Sequence, residues 1–251
     1  MKFLAIIPAR FQSSRFPGKP LARIGGVTMI QRVYERVAAH FGDCWVATDD
    51  SRIVEAVERF GGRVVTTSAD HRSGTDRCAE AHAAIARETG REFDVVVNVQ
   101  GDEPFISGEH LEKIQAAFGD GQVQIATLVK LFRPEEDIFN PNTPKVVVSQ
   151  DGYALYFSRS PIPYLRDVPD RAEWVKNHGF YKHIGLYAYR TDVLGQITEL
   201  PHGALERAES LEQLRWLENG YRVKVEEVTT ETVAVDTPED LEKALAMLPS
   251  Y

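Results

Sequence analysis

The chain is predicted to fold as an α/β protein with a Rossmann-like, mostly parallel sheet covered by helices. Three observations carry that prediction. Apolar runs of strand length alternate with amphipathic helical patterns through the first half of the sequence. The run Val95-Val96-Val97-Asn98-Val99 is almost entirely β-branched, as expected of a central strand buried on both faces. From about residue 131 to about residue 190, strands follow one another with few helices between them, and this stretch reads as a smaller strand-rich lobe inserted in a single domain spanning residues 1–251.

The first strand is Phe3 to Ile7, a compact apolar run that opens at Pro8 into a loop carrying Arg10, Arg15 and Lys19. Gly25-Gly26 makes a turn, and Thr28 caps a helix whose apolar positions Ile30, Val33, Val37 and Phe41 recur at helical spacing. Cys44 to Thr48 is the second strand. Asp49-Asp50-Ser51 caps the next helix, Ile53, Val54, Val57 and Phe60 form its buried stripe, and Gly61-Gly62 ends it. Arg63 to Thr67 is a third strand, and a helix from about Asp76 to Glu88 stops at Gly90. After the β-branched strand, Ser107 caps a helix through Leu111, Ile114 and Phe118, and Ile125 to Val129 is again a strand. Lys145 to Val148, Tyr153 to Ser158 and Phe180 to Tyr189 are the later strands. Pro161 to Lys176 joins two of them and is too long for a plain connection in a compact domain, so it is either disordered or functional. One amphipathic helix spans Ala204 to Asn219, and Arg222 to Val228 is a late strand. A short apolar strand, Val233-Ala234-Val235, then leads to a last helix capped by Thr237 and opened by Pro238.

Lys and Arg number 29 against 37 Asp and Glu, and the net charge of -8 argues against a nucleic-acid partner. No apolar run has the length of a membrane span, and Met1-Lys2 leads into a short strand instead of a signal-peptide core, so a cytoplasmic protein without a membrane partner is expected. Cys44 and Cys78 lack metal-ligand spacing and read as buried or bystander thiols, with no disulfide. Against this acidic background the three cations of the first loop suit a polyphosphate, and equally a solvated basic loop. Gly18-Lys19 is not a P-loop, because Ser13 stands where that motif needs glycine and Pro20 follows the lysine.

Asp102 follows the buried strand, so it belongs at the carboxyl edge of the sheet, where it can hold magnesium against phosphates or form the turn before Glu103-Pro104. Asp236 repeats the placement and is either a second metal ligand or a cap. The loop Asp70 to Arg77, flexible at Gly74, lets backbone approach a flat nucleobase, and helix capping by Ser73 or Thr75 explains the same residues. His183, Gly185 and Tyr187 share one strand face, suited to a hydroxyl-rich ligand or to a packed core. Glu212-Gln213 is a hydroxyl-binding pair or a solvated helix face.

Together these stretches resemble the 3-deoxy-manno-octulosonate (KDO) cytidylyltransferases over nearly the whole chain. Ile7-Pro8-Ala9-Arg10 with Ser14-Arg15-Phe16-Pro17-Gly18-Lys19-Pro20-Leu21 resembles the nucleotide loop of the wider sugar-acid cytidylyltransferases. Asn98 to Pro104, Gly152 to Arg159 and Leu211 to Arg215 resemble the KDO-specific branch, and Val235 to Leu241 completes the set of five segments in the family order. The resemblance implies a fold of the nucleotide-diphospho-sugar transferase type and transfer of CMP from CTP to the anomeric hydroxyl of KDO, with release of pyrophosphate, for lipopolysaccharide assembly. It implies catalytic roles for Arg10, Arg15, Lys19, Asp102 and Asp236. It implies nucleotide contacts from Ala9, Arg10, Ser13, Lys19, Ser73, Gly74, Gln100 and Asp102, and acceptor contacts from Arg159, His183, Tyr187, Glu212 and Gln213. Magnesium would be held by Asp102 and Asp236, and the strand-rich lobe would bind the sugar and form a homodimer. Asn140 to Lys145 and Arg166 to Asn177 depart from the family pattern, which leaves 8-amino-KDO or another acid sugar open as the acceptor. Cytidylyl transfer to a sialic acid or a polyol phosphate is a rival reading, disfavoured by Arg159, His183 and Glu212-Gln213. A non-catalytic nucleotide-binding module is another, disfavoured by the pairing of Asp102 with Asp236.

Overall fold

The structure is a computed structural model and describes residues 1–13 and 15–247; Ser14 of the cationic-loop motif lies outside the described residues. In chain order the elements are β1 (Phe3–Ala9), β2 (Arg23–Ile24), β3 (Val27–Thr28), α1 (Met29–Ala38), β4 (Cys44–Thr48), α2 (Ser51–Arg59), β5 (Val64–Thr66), α3 (Gly74–Thr89), β6 (Val95–Asn98) and α4 (Gly108–Ala116). There follow β7 (Ile125–Leu131), β8 (Lys145–Val148), β9 (Ala154–Ser158), α5 (Trp174–Asn177), β10 (Tyr181–Arg190), α6 (Thr191–Thr198), α7 (Ala204–Glu209), α8 (Gln213–Glu218), β11 (Val223–Glu227) and α9 (Pro238–Ala246). The described residues divide into two compact units: one holds Met1–Glu112, Ala188–Thr198 and residues 232–247, the other Lys113–Tyr187 and Glu199–Glu231.

In the first unit β6, β1, β4 and β5 lie side by side and parallel, with Leu4 opposite Val96, Ala5 opposite Cys44 and Val46 opposite Val64. Every residue of β4 and β6 is buried, the apolar runs together with the polar residues that end them, Thr48 and Asn98. The covering helices start where the sequence supplies caps. Thr28 Oγ1 accepts from Gln31 N, Asp50 caps α2, and Ser73 and Asp76 form a reciprocal capping box on α3. Gly90, at φ 66°, ends α3 in the left-handed region. α1 buries Met29, Ile30, Val33 and Val37, each such side chain contributing roughly 1.5–3 kcal/mol of transfer free energy.

Two local expectations fail in this unit. Val233-Ala234-Val235 forms no strand ladder; Val235 N instead donates to Asp102 O at 2.9 Å, and its side chain joins Ile24, Met29 and Ala244 in a small core. Conversely, α6 was not anticipated, because it leaves β10 without a turn residue and carries Gly195. Burial of Val193, Leu194 and Ile197 and the bonds of Thr191 to the carbonyls of Asp94 and Phe93 hold it.

The second unit pairs β11 with β7 in parallel, sets β10 beside β7, and pairs β8 antiparallel with both β9 and β10. Phe132, Ile138, Trp174 and Phe180 make a largely aromatic hydrophobic cluster in it, with Leu165, Val168 and Val175 packed against them. Trp174 Nε1 donates to Val168 O at 2.8 Å. The Pro161 to Lys176 connection is thus tied to a core of its own, and its last residues form a 3-10 turn, Arg171–Glu173, leading into α5. The single helix expected over Ala204 to Asn219 is two, α7 and α8, broken at Ser210 with φ 51°. The carbonyls of Glu209 and Ser210 accept hydrogen bonds from Arg159, so tertiary partners override a continuous helical periodicity. Among the described residues no helix is long and apolar enough to cross a membrane.

Candidate active site

A cavity of about 360 Å³ opens in the first unit at the carboxyl ends of β1 and β6. It is lined by Ala9 at the end of β1, by Arg10, Ser13, Arg15 and Lys19 of the first loop and by Gln100, Gly101 and Asp102 of the loop after β6. The first loop is closed at its neck, where Gly18 N donates to Phe11 O at 2.8 Å. Gly18 adopts φ 72°, and a Cβ there would meet the Phe11 ring at 3.1 Å. Arg52 stacks its guanidinium 3.3 Å from the centroid of the same ring and is itself held by Asp50 through bonds of 2.9 and 2.6 Å. The cationic loop is therefore a fastened ring. Gly101 is needed for a different reason: a Cβ there would lie 2.9 Å from Pro8 O, where the two strand-end loops meet.

Asp102 and Asp236 converge on one cation. Lys19 Nζ donates to Asp102 Oδ2 at 2.6 Å and to Asp236 Oδ1 at 3.0 Å, and Arg15 Nη2 donates to Asp236 Oδ2 at 3.2 Å. Burial works against the charge on Lys19, but Asp102 first and then Asp236 hold its pKa above the ordinary value. Asp236 reaches this point because Val235 is tied to Asp102 O and because Thr237 and Asp240 form a capping box on α9. Beside Asp102, burial and then the Asp102 charge push the Glu103 carboxyl up to about 7.

Arg10 Nη2 is buried without a hydrogen-bond partner. Behind it Arg77 is fully buried, its Nη2 3.0 Å from Asp49 Oδ1 and its Nη1 donating to Thr67 Oγ1 at 2.6 Å. Burial, and the nearness of Arg10, lower the Arg77 pKa against the pull of Asp49. An unpartnered guanidinium nitrogen of half-buried Arg10, near the buried Arg77, is a position that an anionic oxygen completes. Ser73 is engaged as a cap, accepting from Asp76 N at 3.1 Å, and the adjoining Gly74 lies over the Asn98 carboxamide. Arg77, Asp49, Arg52 and Phe11 were not singled out from sequence. Asp49 gave a signal, since it directly follows β4 as Asp102 follows β6 within a few residues, but it read only as part of a helix cap.

The predicted acceptor residues all belong to the second unit. His183 lies between the rings of Phe157 and Tyr187, each 5.2 Å away between centroids, with Thr127 Oγ1 3.0 Å from its Nε2. Burial pushes its pKa down to about 4, so the ring is neutral at neutral pH. Tyr187 meets Trp216 edge-on at 5.1 Å. Arg159 is anchored on three backbone carbonyls: Glu209 O at 2.5 Å, Pro141 O at 2.9 Å and Ser210 O at 3.1 Å. Glu212 precedes α8, and Gln213 is buried with its Nε2 unpartnered.

Among the described residues no three or more His, Cys, Asp or Glu side chains cluster as a metal cage. Two carboxylates that reach one ammonium nitrogen at 2.6 and 3.0 Å nevertheless fit a magnesium ion. That ion binds through one or two carboxylates and takes its remaining oxygens from phosphates and water.

The fold is that of a nucleotidyltransferase. It is shared with a 4-diphosphocytidyl-2C-methyl-D-erythritol synthase of Anaerococcus prevotii at a TM-score of 0.62 and 16% identity, over 98% of this chain and 97% of that one. A CMP:2-keto-3-deoxy-manno-octonic acid synthetase solved in complex with CTP superposes at a TM-score of 0.88, with 44% identity over 98% of both chains. Residues 4–228 match the cytidylyltransferase family. The 3-deoxy-manno-octulosonate cytidylyltransferase of Parabacteroides distasonis is 59% identical over 99% of this chain and 98% of its own length. That of Bacteroides thetaiotaomicron is 59% identical over 97% of each. The chain belongs to the 3-deoxy-manno-octulosonate cytidylyltransferase family.

Proposed function

We propose that this enzyme transfers CMP from CTP to the anomeric hydroxyl of KDO, releasing pyrophosphate and giving the activated sugar for lipopolysaccharide assembly in the cytoplasm. The observation that carries the reading is the convergence of Asp102 and Asp236 on one cation within the Arg10, Arg15 and Lys19 loop. Arg10, Arg15 and Lys19 hold the triphosphate and stabilise the charge that develops as the α-phosphorus is attacked in line. Ala9 and Ser13 line the nucleotide, and Ser73, Gly74 and Gln100 meet the cytidine. Asp102 and Asp236 would hold magnesium, which when bound would supply Lewis-acid stabilisation of the developing charge and ease deprotonation of the attacking hydroxyl.

Arg159, His183, Tyr187, Glu212 and Gln213 receive KDO. The anchored Arg159 offers positive charge to the KDO carboxylate, neutral His183 meets a hydroxyl without adding charge, and Gln213 Nε2 has a donor to give. The lobe at about 131–190 carries Arg159, His183 and Tyr187 of this sugar site and the interface of a homodimer, while Glu212 and Gln213 come from the start of α8. Leu155, 61% exposed on β9, which pairs only with β8 among the described strands, supports that interface. Sedimentation velocity is expected to show a dimer that Leu155→Glu dissociates; a monomeric wild-type protein removes the interface.

Initial rates of pyrophosphate release with CTP and magnesium, compared across KDO, 8-amino-KDO, a sialic acid and a polyol phosphate, test the acceptor. KDO is expected to give the highest kcat/KM. A higher value for any of the others reassigns the acceptor.

A further inference from the structure

We infer that Lys19 is a placeholder cation: in the free enzyme its ammonium occupies the seat between Asp102 and Asp236, and it leaves that seat for the phosphates only when nucleotide and divalent metal enter together. The inference rests on the reading of Asp102 and Asp236 as metal ligands.

The geometry makes the two occupants exclusive. Lys19 Nζ is bonded to one oxygen of each carboxylate, at 2.6 and 3.0 Å. A magnesium ion bound to the same two oxygens at about 2.1 Å would lie in contact with the ammonium, cation against cation. The seat cannot hold both. The charges also balance in either state. Asp102 and Asp236 carry two negative charges, and Lys19 and Arg15 answer them with two positive ones. A divalent ion replaces that charge in full and frees both side chains for the phosphates.

The two cations are not equivalent. Arg15 is 65% exposed and touches Asp236 alone, whereas the Lys19 side chain is 14% exposed and bridges the pair. Lysine suits the task, because a compact ammonium on a four-carbon stem can change partners without moving the backbone. Its backbone is fixed, since Lys19 opens a 3-10 turn directly after Gly18 in the left-handed region, and its side chain lines the same cavity as Arg10. Metal alone must therefore break two charge-assisted bonds to bind, while metal carried on a nucleotide gives the displaced ammonium new anionic partners.

Binding of manganese(II), an oxygen-preferring stand-in for magnesium, to the nucleotide-free enzyme by electron paramagnetic resonance tests this without reference to turnover. Lys19→Met is expected to bind manganese at least about tenfold more tightly than wild type, the equivalent of one charge-assisted bond removed, while the KM for CTP moves the opposite way and rises. Lys19→Gln should behave likewise, Lys19→Arg should restore weak manganese binding, and Arg15→Met should change it far less. If Lys19→Met and Lys19→Gln leave manganese affinity unchanged while Asp102→Asn abolishes it, the placeholder is overturned and the metal ligands stand. If Arg15→Met tightens binding as much as Lys19→Met, a diffuse field and not an occupied seat is at work, and the inference also falls. If Asp102→Asn with Asp236→Asn, in the Lys19→Met background, leaves manganese bound, the metal site itself is wrong.

Discussion

Asp102→Asn is expected to lower kcat by roughly a thousandfold while leaving the protein folded, and Asp236→Asn to do nearly the same. Asparagine keeps the shape and a carbonyl oxygen for Lys19 but removes the charge that would hold a divalent ion. Neither carboxylate is buried: their side chains are 27% and 38% exposed. Ion pairs at that exposure contribute about 1 kcal/mol or less, so the thermal midpoint should move by only a few degrees. The separation of effects is the point, because a residue that merely shaped the turn before Pro104 would show the reverse, a loss of stability with turnover retained. Rates at saturating CTP, KDO and magnesium, read beside a melting curve, decide between them. Wild-type kcat in either variant removes its assigned role.

The largest expected effect on stability lies in the second unit. Arg215 grips Glu206 with two hydrogen bonds of 2.8 and 2.6 Å, and their side chains are 6% and 10% exposed. Glu206→Ala removes the nearer of two carboxylates about the buried guanidinium, leaving Glu212 Oε1 3.8 Å from Nη2, and should cost about 3 kcal/mol in urea unfolding, whereas replacing both Arg215 and Glu206 by leucine should recover much of that loss. The pair ties α7 to α8 across the break at Ser210, so the loss should be accompanied by a raised KM for KDO through Glu212 and Gln213. Burial alone would raise the Glu206 pKa, but the bonds from Arg215 outweigh it and hold the carboxyl below its ordinary value of 4.5. The stabilisation is therefore complete above the unfolded-state value and fades as the pH falls through the folded one. Urea midpoints measured from pH 7 downward should decline more gently in Glu206→Ala than in wild type; parallel slopes would contradict the pairing.

The parts of the fold that could be read from sequence are those set by local chemistry. Thr28, Asp50, Ser73 and Thr237 cap the helices they were expected to cap, and the boundaries of β4 and β8 fall where the apolar runs begin and end. The parts that could not be read depend on partners far away in the chain. The break at Ser210 follows from Arg159, fifty-one residues earlier, taking its carbonyl, and nothing in the periodicity of Ala204 to Asn219 announces that. Val233 to Val235 looks like a strand because its residues are apolar, yet its place is set by one bond to Asp102 and a small side-chain core. At the site, the cations and carboxylates were visible as residue types at strand ends. That Lys19 lies between Asp102 and Asp236, and that Arg77 stands buried behind Arg10, are facts of three-dimensional closeness alone.

Phosphorus NMR of the enzyme incubated with CTP, KDO and magnesium tests the central claim most directly. The account predicts that CTP is lost only when KDO is present, with equal growth of pyrophosphate and of a single phosphodiester resonance belonging to CMP joined to the sugar. Formation of CDP and inorganic phosphate, or release of pyrophosphate without a KDO-linked diester, would contradict it.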